Sequence, residues 1–240
     1  MQKMNKLKFV FKEIKKGRLN YILFSIFTYP LSKTRLKDWR LKKKDEILVR
    51  KLTKGIKKSY NLNFLNIYSK LYCEALREVY EDKIYDFFKI NEKDLVYDVG
   101  AGCGEYTLLC AKNGAEVLAF ELRKDAYEIM NKNVKLNYFQ NKIKTYLGKT
   151  DDKNALDFYF NKNKKIPTII KIDIEGDELK ALKGSKKILK EAAPKIILET
   201  HSKKLENDCL DFLFKFEYSI KNKLNMDDKC NLLFLEKNQK

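Results

Sequence analysis

Little in this chain allows it to span a membrane. Its most apolar stretch, Leu19 to Leu31, is uncharged and aromatic but only thirteen residues long, whereas a spanning helix needs about 20. The stretch also lacks the small-residue cleavage pattern of a secretory signal, although its basic start imitates one. The five cysteines (Cys73, Cys103, Cys110, Cys209 and Cys230) are odd in number and form no C-x-x-C pair. That argues against a disulfide framework, and the cysteines show no metal-ligand spacing. Free thiols in a reducing cytoplasm are expected, with Cys103 a small filler rather than a nucleophile. No Pro/Gly/Ser linker and no internal repeat divides the 240 residues, and His201 is the only histidine.

What is abundant is positive charge, and its placement is uneven. Residues 1–60 hold 19 Lys and Arg against 4 acids, a net of +15, which leaves +3 of the total +18 for residues 61–240. A hydrophobic share of 44% supplies a real core. The chain therefore divides into a basic N-terminal extension, 1–60, and a nearly neutral globular domain, 61–240. Such an extension suits a polyanion, either nucleic acid or anionic lipid; the alternative is a solvated lysine-rich surface. Leu7, Val10, Phe11 and Ile14 fall at helical spacing among lysines. Pro30 ends the apolar stretch, and Lys33 to Lys44 follows, basic and centred on Trp39. This pattern fits a helix lying in a membrane interface, or one docking on its own domain.

Residues 61–92 read as a helical lead-in, with Leu65, Tyr68, Leu71, Tyr72, Ala75, Leu76 and Val79 at helical spacing. From 93 onward the pattern becomes strand–helix alternation. Strands are predicted at Leu95–Val99, Glu116–Glu121, Lys142–Leu147, Thr168–Ile174 and Lys195–Thr200. Helices are predicted at Glu105–Lys112, Lys124–Leu136, Ala155–Asn161, Glu178–Leu189 and Leu205–Phe214. Short β-branched strands alternating with helices imply βαβ crossovers and a mostly parallel α/β sheet. Glu217–Lys221 and Asn231–Glu236 flank a polar turn and predict an antiparallel hairpin that closes it.

The loop Asp98-Val99-Gly100-Ala101-Gly102-Cys103-Gly104 follows the first of these strands and opens a helix. Its G-x-G-x-G spacing lacks the third glycine of the dinucleotide fingerprint. Asp98 would repel a pyrophosphate and welcome an ammonium group. The next strand ends in Glu121, where a carboxylate accepts hydrogen bonds from ribose hydroxyls. Loop and carboxylate together favour S-adenosylmethionine over a dinucleotide; the alternative for Glu121 is an ordinary surface acid.

A second signature is Lys171-Ile172-Asp173-Ile174-Glu175-Gly176-Asp177-Glu178, an apolar strand running into acids. Ligands of open α/β sheets bind beyond the carboxyl ends of strands, which directs Asp173 and Glu175 to the crevice. The following strand ends Glu199-Thr200-His201. With VYDVGAGCGEYTLL, the AFE ending at Glu121, KIDIEGDELKALKG and ILETH, the chain resembles the FkbM family of methyltransferases over about residues 85–236.

That resemblance implies a Rossmann-like seven-stranded methyltransferase fold and methyl transfer, most often to a hydroxyl oxygen of a sugar. It implies that Asp98, Gly100 and Gly102 cradle the methionine part of the cofactor, with Tyr106 and Thr107 near its carboxylate. Glu121 would hold the ribose, Gly148 or Asp151 would sit near the adenine, and Asp173 near the sulfonium and acceptor. His201 is the first choice of base because free imidazole titrates near neutrality; Glu199, Asp173 and Glu175 are alternatives, and a structural His201 is another. A divalent metal on Asp173, Glu199 and His201 is an alternative, with no diagnostic spacing behind it. The expected acceptor is a glycan hydroxyl, lipid-linked at the cytoplasmic face of the inner membrane. The alternative is RNA, with the basic extension gripping phosphates. IDIEG stands where base-amine methylation would call for an N-P-P-Y element.

Overall fold

The computed structural model describes residues 58–62, 65–69, 75, 78–148, 150, 156–163 and 166–238. The basic extension as far as Lys57, with Trp39, and also Cys73 and Asp151 lie outside the described residues.

The first described elements differ from expectation. Strands β1 (Lys58–Leu62) and β2 (Leu65–Ser69) pair antiparallel, where a helical lead-in is predicted. The segment Tyr60-Asn61-Leu62-Asn63-Phe64 alternates with period two and is rich in asparagine, a poor helix former. The local alternation prevails over the longer helical register. After a π-helical turn at Glu78–Asp82, the lead-in drops Val79, Tyr85 and Phe88 into the core, with Phe88 edge-on to Phe234 at 5.5 Å.

Beyond Asp94 the alternation takes the expected form. The elements are β3 (Leu95–Val99), α1 (Glu105–Lys112), β4 (Glu116–Glu121), α2 (Lys124–Leu136), β5 (Ile143–Leu147), α3 (Leu156–Asn163) and β6 (Ile169–Ile172). There follow α4 (Glu178–Lys183), α5 (Lys186–Glu191), β7 (Lys195–Thr200), α6 (Lys203–Phe214), β8 (Tyr218–Asn225) and β9 (Asn231–Lys237). One predicted helix, Glu178–Leu189, is two. Gly184 has low helix propensity, and the buried Ser185 hydroxyl donates to the Ala181 carbonyl at 2.7 Å, so the chain turns there.

The seven strands from β3 onward form one sheet in the order β5-β4-β3-β6-β7-β9-β8. β5, β4, β3, β6 and β7 are parallel; β9 lies antiparallel between β7 and β8. This is the expected Rossmann-like, seven-stranded, mostly parallel sheet closed by an antiparallel hairpin. β3 and β6 are buried on both faces, which explains their unbroken apolar character. Two residues break that character, Asp98 and Lys171, and they stand side by side in register. The chain leaves β3 to one neighbour, β4, and the sheet resumes on the other side at β6, so the crevice at their carboxyl ends is the topological switch point. Among the described residues no helix is long and apolar enough to cross a membrane.

Candidate active site

The carboxyl ends of five strands, and the turn entering β9, deliver nearly every polar group singled out in the sequence. A cavity of about 360 Å³ opens there, lined by Gly100, Gly102, Glu121, Gly148, Asp173 and Glu175 among others. That volume lies within the range of small-molecule sites, about 300–1,000 Å³.

The glycine loop builds its floor. Gly100 and Ala101 both donate to the Phe120 carbonyl at 3.0 Å, tying the loop to β4. Gly100 holds φ +82°, and a Cβ there would sit 1.8 Å from the Asp173 carbonyl oxygen, so no other residue fits. Glu121 accepts from the Gly102 N–H at 2.8 Å and the Arg123 N–H at 2.7 Å, one on each carboxylate oxygen. Each oxygen keeps a further lone pair toward the cavity. Gly148 faces open space where a Cβ would point. These features fit a nucleoside-bearing ligand: backbone approach at the glycines and a fixed carboxylate. Cys103 is no nucleophile, because burial, above all, pushes its thiol up to about 12.

Three residues expected at the cofactor, Asp98, Tyr106 and Thr107, are buried and are not among those lining the cavity. Asp98 is fully buried and accepts from the Thr107 hydroxyl at 2.5 Å. Lys171 Nζ stands 3.7 Å from its other oxygen. The ammonium that Asp98 meets is thus a lysine of the chain itself. Tyr106 is buried against Tyr85, ring centroids 5.0 Å apart. Burial raises the Asp98 carboxyl above its ordinary range, with Lys171 and Thr107 pulling it back.

Lys171 also reaches Asp173 at 3.2 Å and lies over the Tyr85 ring at 5.5 Å. The Tyr85 hydroxyl in turn donates to Glu199 at 3.3 Å. A buried chain of contacts therefore runs from the loop, through Lys171, to the acid-rich ends of β6 and β7. Sequence reasoning assigned Lys171 and Tyr85 no role. The available signal was a lysine inside a strand that is otherwise apolar and central.

His201 gathers the acids. Its Nδ1 lies 3.0 Å from Glu178, which is fully buried; its Nε2 is 3.6 Å from Asp173, 3.7 Å from Glu175 and 3.9 Å from Glu199. The Glu178 hydrogen bond, and then the charges of Glu175 and Asp173, push the imidazole up to about 9 despite its burial. These neighbours favour the protonated ring over the near-neutral titration of a free imidazole. Glu175 sits at φ +58°, followed by Gly176 at +117°, a turn that carries its exposed carboxylate over the crevice. Cys230, entering β9, donates to Glu199 at 3.2 Å. Nothing in the sequence links these two, which are 31 positions apart.

Comparison with known proteins agrees with this geometry: two family models, both of methyltransferase domains, match the chain. Residues 153–223 match the methyltransferase FkbM domain, which bears out the resemblance seen in IDIEG and ETH. Residues 71–175, with the cofactor loop, match the TRM5/TYW2 methyltransferase domain. The tRNA (guanine(37)-N(1))-methyltransferase of Anopheles darlingi is 30% identical over 128 residues, 53% of this chain and 21% of that protein. The chain spans about a fifth of the length of the curated relatives it matches. Among solved structures, Methanocaldococcus jannaschii Trm5 in complex with adenosine superposes with a TM-score of 0.55 at 17% identity, covering 77% of this chain and 57% of that one. Methyltransferase FkbM from Methylobacillus flagellatus KT gives 0.53 at 19%, covering 62% and 45%. At these identities the two structures speak for the fold alone.

Proposed function

We propose that the chain methylates RNA, with the basic extension holding phosphates while the crevice presents a base to the cofactor. The observation that carries this reading is the match of residues 71–175 to the TRM5/TYW2 methyltransferase domain, with a tRNA (guanine(37)-N(1))-methyltransferase among the relatives, in a chain whose first 60 residues have a net charge of +15. The glycan acceptor and the membrane surface expected from the sequence find no support in these relatives.

S-adenosylmethionine supplies an electrophilic methyl group on a sulfonium. Gly100 and Gly102 let the backbone approach it, Glu121 accepts from its ribose hydroxyls, and Gly148 leaves room for the adenine. Asp173 and Glu175 border the acceptor side. A carboxylate is poorly matched to the tightly held proton of a sugar hydroxyl and better matched to the more acidic ring N–H of a purine, so the base-acceptor reading suits these acids. Holding acceptor and methyl in line supplies most of the remaining rate enhancement.

Two results test this. Glu121→Ala removes two charge-assisted hydrogen bonds to the ligand, each worth about 1.5–3 kcal/mol. Calorimetry is expected to show cofactor affinity falling by about 10²–10⁴-fold, while Glu121→Gln loses less. In the second, the full chain transfers tritiated methyl from S-adenosylmethionine into fractionated tRNA, lipid-linked glycan and protein, and the labelled nucleoside is identified after digestion. Label in a methylated base of tRNA is expected, with tRNA affinity dropping about 10³–10⁵-fold between 50 and 200 mM salt if six to ten phosphates are contacted. Label confined to glycan would overturn this reading in favour of the sugar O-methylation expected from the sequence.

A further inference from the structure

We propose that Glu199, His201 and Cys230 form a three-ligand zinc site beside the cavity, with its fourth position open between Asp173 and Glu175. The three residues come from the end of β7 and the turn into β9, and one donor atom of each lies within 4.8 Å of the others. Glu199 Oε1 is 3.2 Å from Cys230 Sγ and 3.9 Å from His201 Nε2. Zinc bonds of 2.0–2.3 Å in a tetrahedron put neighbouring donors about 3.3–3.8 Å apart. The two separations bracket that range and the third pair lies within 4.8 Å, so side-chain rotations would bring all three donors onto one ion.

An independent observation points the same way. Metal-bound histidines almost always donate their second ring N–H to a carboxylate, a backbone carbonyl or a water. Here Nε2 faces the cluster, and Nδ1 is held at 3.0 Å by Glu178, a fully buried acid whose other oxygen has no partner. A buried glutamate opposite the far nitrogen is the outer half of a carboxylate–histidine–metal arrangement. Charge balance adds a reason. Asp173, Glu175, Glu178 and Glu199 all stand within 4 Å of the one imidazole. A divalent cation relieves the repulsion among them.

A thiol and an imidazole are borderline-soft donors that select zinc over magnesium or calcium. Binding displaces the thiol proton of Cys230 and the Nε2 proton of His201 to solvent, leaving thiolate, neutral imidazole and carboxylate on the ion. The open position takes a water or an oxygen of the acceptor. Three protein ligands plus one exchangeable position is the pattern of zinc sites that act on substrates. The site is argued from the chain's own donors and stands whichever acceptor is methylated; its test involves no methyl transfer.

The test uses the full chain, stripped by chelator and then titrated with zinc or cobalt alone. One zinc per chain retained through gel filtration is expected. Cobalt is expected to give a near-ultraviolet thiolate-to-metal absorption and the visible bands of a four-coordinate ion. Cys230→Ser should abolish the thiolate band, while Glu199→Gln and His201→Ala weaken zinc binding at least 100-fold. Glu178→Gln should weaken it about 10–100-fold. Circular dichroism checks that each variant is folded, and Glu199→Gln, close in shape to the native residue, serves if another is not. Zinc below stoichiometry at micromolar concentration overturns the site. So does a thiolate band that survives in Cys230→Ser, or affinity unchanged in Glu199→Gln.

Discussion

Gly100→Ala is expected to abolish cofactor binding and to lower the melting temperature by about 5–20 °C. Two costs add. A non-glycine residue at φ +82° carries about 1–3 kcal/mol of backbone strain. Its Cβ would also lie 1.8 Å from the Asp173 carbonyl, which is backbone and cannot swing away. Forcing β3 and β6 apart at this point costs a further 1–3 kcal/mol or so, typical of overpacking. A fall of about 2–4 °C per kcal/mol converts the sum to the stated range. The loop's hydrogen bonds to Phe120 and Glu121 begin at this residue and the next two, so the cavity floor is lost with it. Gly176→Ala is the control. Its φ of +117° brings strain, but the added Cβ meets nothing within 4 Å, and the loop of β3 is untouched. Thermal melts and S-adenosylmethionine calorimetry on both variants decide the matter; equal effects would show that strain, not the approach of Asp173, governs Gly100.

The contrast explains which parts of this molecule are legible in the sequence. Glycine spacing, the acid two residues before the loop and the acid ending the next strand carry their chemistry in local order, so the crevice could be placed at Gly100, Gly102, Glu121 and Asp173 in advance. Strands β3, β4 and β7 and helices α1 and α2 fall on their predicted bounds because burial on one or both faces dictates their pattern. Asp98, Tyr106 and Thr107 sit in that same local order, yet their side chains are buried, Asp98 in a strand covered on both faces and Tyr106 and Thr107 in the buried first turn of α1. Sequence alone does not say which side holds a partner. The same applies to His201, whose proton affinity is set by Glu178 and by acids on two other strand ends. It applies also to Cys230, brought to Glu199 only by the antiparallel return of β9.

Lys171→Met is expected to destabilise the fold by about 3–5 kcal/mol, the cost of leaving a buried charge without its partner. Lys171 is almost wholly buried and is the cation nearest to Asp98, itself fully buried, at 3.7 Å. Removing the ammonium leaves the Asp98 carboxylate with the Thr107 hydroxyl as its one hydrogen bond. The sign of the pH dependence follows from burial. Desolvation already raises the Asp98 carboxyl, so the folded state favours its protonated form, and without Lys171 the rise is greater. Stability tied to a raised carboxyl is present at low pH and lost as pH climbs through the folded value. The variant's deficit should therefore shrink on acidification and be largest near neutrality, in urea melts run across that range. Asp98→Asn combined with Lys171→Met should recover much of the loss, because no buried charge is then unpaired. The double variant should still turn over slowly. Lys171 holds Asp173 at 3.2 Å from within the sheet, and misplacing an active-site group by about 1 Å costs on the order of 10²-fold in rate. Stability restored with turnover still depressed identifies Lys171 as the residue that positions Asp173; recovery of both would confine it to the pairing of Asp98.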